Sequence, residues 1–89
     1  MFWRNVDKEL EKLGFMKVED NDHIVQYERP EDMYGYTQCL SICHKQSGRH
    51  IIQTYQKDVN KDGFNNCDGL TYTEMKLALM KMRQKGWKS

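Results

Sequence analysis

The sequence predicts an α+β fold, an antiparallel meander of three or four strands packed against an N-terminal and a C-terminal helix. Three observations carry this reading. Apolar residues recur at helical spacing near both ends of the chain, they alternate at strand spacing between Phe15 and Tyr55, and turn-forming residues separate neighbouring alternating runs. The two amphipathic helices are the elements available to cover the apolar face of such a sheet, which gives a two-layer sandwich.

The first helix follows from Trp3, Val6, Leu10 and Leu13, spaced by three, four and three so that they share one stripe, with Asp7, Lys8, Glu9, Glu11 and Lys12 on the other side. Gly14 supplies the residue that adopts a left-handed conformation at a helix C-terminus. Phe15 then stands where a Schellman motif returns an apolar contact to Leu10.

The strand region places Met16 with Val18, Val25 with Tyr27, then Tyr36, Leu40 and Ile42, then Ile51, Gln53 and Tyr55 on common faces. Asn21-Asp22 and Gln46-Ser47-Gly48-Arg49 read as turns. The segment from Pro30 to Gly35 reads as a longer loop between the second and third strands. Thr37, Cys39, Ser41, Cys43, Ile52 and Thr54 fall on the opposite face, polar enough to be solvated and apolar enough to serve as a contact surface.

A polar stretch from Lys57 to Gly69 precedes the last helix, whose start is marked by the capping box Thr71-Tyr72-Thr73-Glu74. Its expected inward stripe is Tyr72, Met75, Leu79 and Met82, with Ala78 alongside. Gly86 ends it and turns Trp87 back toward Met82.

At 89 residues, 38% hydrophobic and 30% charged, the composition is that of one globular domain spanning residues 1–89. The formal charge of +1 offers no long-range field to draw the molecule to nucleic acid or anionic lipid. No apolar run approaches the roughly 20 residues of a membrane span, and Met1-Phe2-Trp3-Arg4-Asn5 lacks the apolar core of a signal peptide. The expectation is a cytoplasmic protein without membrane attachment. Cys39 and Cys43, on one strand, stand about 13 Å apart and cannot be bridged, so reduced thiols are expected.

Several constellations invite chemistry. Asp58-Val59-Asn60-Lys61-Asp62-Gly63-Phe64 matches the first half of a calcium loop, but Gly69 stands where a bidentate Glu should close it, and Asn65 takes the eighth position. A calcium-stabilised module using Asp58, Asn60, Asp62 and Asp68 is one alternative, set against a solvated Asx-rich loop. Cys39, Cys43, Cys67, His23, His44 and His50 lack the spacing of a zinc site, and neighbouring Cys43 and His44 point to opposite faces of a strand. Neither a base nor an oxyanion hole accompanies a cysteine, and Glu9, Glu11, Glu19 and Glu28 read as solvated. No catalytic, cofactor or metal residue is therefore assigned, and the chain is read as non-enzymatic. Lys76, Lys81, Arg83, Lys85 and Lys88 make the last helix basic, a weak signal for nucleic acid because cations there also complement the helix dipole.

Leu10-Glu11-Lys12-Leu13-Gly14-Phe15 running into Lys17-Val18-Glu19, and Gly69-Leu70-Thr71-Tyr72-Thr73-Glu74-Met75-Lys76 ending in Lys85-Gly86-Trp87, give the chain a resemblance over nearly its whole length. It resembles the small uncharacterised proteins common in phages and prophages of low-GC Gram-positive bacteria. The resemblance implies an α+β fold and a phage setting, and it carries no activity. The leading expectation is a small protein-interaction domain that binds a protein partner, or itself, through the exposed sheet face or an edge strand.

Overall fold

The computed structural model describes residues 5–31, 35–58, 65–67 and 69–87. Its elements run α1 (Val6–Lys12), β1 (Met16–Asp20), β2 (Ile24–Glu31), β3 (Tyr36–His44), β4 (His50–Asp58), β5 (Asn65–Cys67) and α2 (Tyr72–Gln84). The strands form one antiparallel sheet in the order β1-β2-β3-β4-β5, so the predicted α+β meander is what the chain adopts. Its fifth strand is three residues long and lies inside the stretch that the sequence reads as a polar loop.

Both helices end as their sequences require. In α1, Gly14 at φ +94° donates to the Glu11 carbonyl and Phe15 to the Leu10 carbonyl, the paired bonds of a Schellman motif. In α2, Gly86 and Trp87 repeat the pattern onto Arg83 and Met82. The capping box at Thr71 and Glu74 is present with both of its bonds at 3.1 Å. Phe15 and Trp87 are thereby delivered into the core.

One face of the sheet carries that core. Val25, Tyr27, Leu40 and Ile42 are buried beneath Val6 and Leu10 of α1 and Leu77, Ala78 and Met82 of α2. The strand turns fix which residues join them. Asn21 accepts from the backbone N–H groups of His23 and Ile24, closing the β1–β2 hairpin as an Asx turn. Between β3 and β4 residues 45–49 turn the chain through Gly48 at φ +87°, closed by the Lys45 N–H on the Arg49 carbonyl, which makes His44 and His50 the first pair of the ladder.

That pairing corrects the expected assignment of β4. Ile42 faces Ile52 and Leu40 faces Thr54, so Ile52 and Thr54 belong to the helix-covered face. Ile51, Gln53 and Tyr55 belong to the open one. A shift of one residue inverts every side chain of a strand, and the turn geometry, not the alternation of apolar residues, decides it here.

Three further expectations are corrected. The inward residues of α2 are Glu74, Leu77, Ala78, Lys81 and Met82, while Tyr72, Met75 and Leu79 are exposed at 80%, 40% and 47%. Ala78 and Met82 face inward as expected, and the other three positions give way because Glu74 and Lys81 turn inward to meet Arg29 and Asp7. Pro30 lies within β2, opposite Thr37, and not in a loop. It fits because β1 pairs with β2 only as far as Glu28, so the ladder beside β1 has ended before a residue without an N–H is reached. Finally, the strict alternation expected through Met16 and Val18 is interrupted, because β1 carries a bulge between Lys17 and Glu19, and both apolar side chains are exposed.

Candidate interaction surface

Between the helices and the sheet lies a charged layer that determines which cations remain outside. Asp7 of α1 accepts from the Tyr27 hydroxyl at 2.6 Å and from the Lys17 ammonium at 2.9 Å, and pairs with Lys81 at 3.2 Å. Burial pushes the Asp7 carboxyl up, but the bonds from Lys17, Tyr27 and Lys81, with the Lys81 charge, outweigh it and hold it at about 2. The Lys85 hydrogen bond, 2.7 Å long, brings Asp20 below the usual carboxylate range against the effect of its burial, with Lys17 helping. Burial first, then the Asp7 contact, pushes the Tyr27 phenol up.

Farther along the sheet, Arg29 pairs with Glu74. Its guanidinium donates to the Leu13 carbonyl at 3.0 Å and to Gln38, lies 4.5 Å from the Phe15 ring centroid, and comes within 3.5 Å of the Glu74 carboxylate. Gly14 packs against it so closely that a Cβ there would stand 3.0 Å from the Arg29 Cδ. The end of α1, the start of α2 and the middle of the sheet thus meet on one side chain.

The basic helix changes character in this setting. Lys81 and Lys85 are held by Asp7 and Asp20, while Lys76 and Arg83 project outward. Lys88 lies outside the described residues. Neutralising Lys81 and Lys85 would damage the packing between α2 and the first half of the chain, whatever the molecule binds.

The open sheet face is less available than the sequence suggests. The Tyr55 side chain crosses it, hydrogen-bonding with Ser41 and Cys39 and approaching Gln26 at 3.5 Å, and Cys39 and Ser41 beneath are buried. Burial, with the Glu28 charge adding to it, pushes the Cys39 thiol up, away from the thiolate that nucleophilic chemistry uses. Ile24, Cys43 and Ile51 form a half-buried apolar row at one end. The large apolar side chains that stand well out of the described surface are on two other elements: Met16 and Val18 on β1, at 65% and 50%, and Tyr72, Met75 and Leu79 on α2.

Three of the four candidate calcium ligands, Asn60, Asp62 and Asp68, lie outside the described residues. Asp58 is the last residue of β4, so a strand, not a helix, leads into the Asp/Asn stretch. Among the described residues no group of three or more His, Cys, Asp or Glu side chains gathers as a metal site. His44 and His50, on the helix side, approach with their Nδ1 atoms 3.0 Å apart, and the Trp87 ring lies 5.4 Å from that of His44. Cys39 and Cys43 are on the far face, both free. Sequence reasoning missed the histidine pair, although the length of the hairpin loop between them was the signal that would have found it.

No helix among the described residues is long and apolar enough to cross a membrane. Comparison with protein-family models, with curated proteins and with solved structures finds no match.

Proposed function

We propose that this chain is a small, non-enzymatic protein-interaction domain of the cytoplasm, encoded in a phage or prophage setting as its resemblance implies. The observation that carries the interaction reading is the concentration of exposed apolar side chains on the edge strand β1 and on the outer side of α2. Each patch sits on an element whose opposite side is fixed by packing or ion pairs, so a partner would meet a rigid surface. The raised thiol of Cys39 and the paired carboxylates of Asp7 and Asp20 are occupied in structural contacts, consistent with a domain that binds and does no chemistry.

Selection of a displayed random-peptide library against the folded domain tests this reading, with binders mapped by amide chemical-shift perturbation. Perturbations gathered on β1 or on the outer side of α2 are the expected result. A library that yields no binder, or binders that perturb only termini and turns, would set the reading aside.

A further inference from the structure

Resting on that reading, we infer that the outer face of α2 is a docking ridge for an acidic amphipathic helix of a partner protein. Tyr72, Met75 and Leu79 are spaced by three and four, which puts them on one strip about 10.5 Å long that continues into buried Met82. Lys76 and Arg83, seven residues apart, form a parallel row beside it, with the Lys76 ammonium 5.9 Å from the Tyr72 ring centroid. Glu74, the helix's one acid, is 3% exposed and turned inward. Every charge on the outer face is therefore positive.

This charge pattern selects the occupant. A second copy of the chain would bring Lys76 and Arg83 against the same cations, which costs affinity and is the usual device for excluding a wrong partner. A helix with apolar residues at i, i+3 and i+7 and Glu or Asp on its flanks satisfies both rows at once. Met75 adds an unbranched, polarizable contact that adapts to different side chains. Nucleic acid would use the two cations and leave Met75 and Leu79 uncovered.

The full chain can be titrated into a labelled helix-forming peptide of about 16 residues carrying that apolar stripe with Glu flanks, and fluorescence anisotropy followed. A dissociation constant on the order of 10 μM is expected, with no binding to the same peptide carrying Lys flanks. Leu79→Ser and Met75→Ser should each weaken binding about tenfold while leaving the Tm within about 2 °C, because both side chains are exposed. Changing Lys76 and Arg83 together to Glu should abolish binding of the Glu-flanked peptide and create binding of the Lys-flanked one.

Equal binding of both peptides, or binding indifferent to Leu79→Ser, would overturn the inference. So would tighter binding of a single-stranded oligonucleotide that is lost on changing Arg83, or a dimer of the chain that Leu79→Ser dissociates. If displayed peptides map instead to β1, the interaction reading stands and this assignment of face and partner falls.

Discussion

The two sides of α2 invert the usual order of burial. Its inner side encloses an acid and a lysine, Glu74 and Lys81, beside Leu77, Ala78 and Met82, while its outer side leaves a tyrosine, a methionine and a leucine in solvent. The inner charges are tolerated because Arg29 and Asp7 are waiting for them. The outer apolar groups have no such complement within the described residues. A helix arranged this way divides its labour: the inner side holds the domain together, and the outer side is free to vary without loss of fold.

Substitutions on the inner side of α2 and its partners carry the largest effects. Leu77→Ala removes a side chain that is 4% exposed and should lower stability by about 2–4 kcal/mol, measured by urea unfolding. Arg29→Ala should cost about 2–3 kcal/mol, since it strands the Glu74 carboxylate and uncaps the Leu13 carbonyl together. Lys81→Met, which keeps the buried stem, should be clearly milder than Lys81→Ala; equal losses would mean that the charge alone matters.

Acid should sharpen the same contrast. The Asp7 carboxyl, at about 2, lies below its unfolded value, so its contribution is complete above about pH 4 and is lost as pH falls toward 2. Asp20 is lowered as well and adds to the loss. Lys17, raised chiefly by the Asp7 bond, contributes below its unfolded value near 10.4 and ceases to do so as pH rises through its higher folded value. A stability plateau that falls off at both ends is expected by thermal unfolding, with Asp7→Asn removing most of the acid limb, a change of about 1 kcal/mol after solvent screening. The smallest effect belongs to the outer side: Met75→Ser and Leu79→Ser should stay within about 0.5 kcal/mol of the parent.

Much of this fold is legible in the sequence because its boundaries are written in local chemistry. Gly14 and Gly86 require left-handed conformations, Thr71 and Glu74 cap reciprocally, and Asn21 closes its own turn, so helix ends and hairpins follow from neighbours alone. The features that local chemistry leaves open depend on distant partners. Hydrophobicity alone points Glu74 and Lys81 outward, and only the positions of Arg29 and Asp7 reverse that, leaving Ala78 and Met82 inward and turning Tyr72, Met75 and Leu79 out. The phase of β4 depended on loop length, and Pro30 could join a strand only because β1 stops short. The candidate surface is thus visible as a set of residues, Tyr72, Met75 and Leu79, that the sequence groups correctly and assigns to the wrong side.

The strand order also has a consequence for how the chain is made. Each strand pairs with its successor, so the meander can zip up in the order in which it leaves the ribosome, through short loops that close quickly. The layer that covers its apolar side is assembled from segments far apart in the chain, with Lys85 meeting Asp20 across 65 positions and Trp87 among the core residues. A nascent chain stalled before α2 would therefore display Val25, Tyr27, Leu40 and Ile42 with only α1 to shelter them, and its window of exposure to chaperones and to aggregation closes when the final helix arrives.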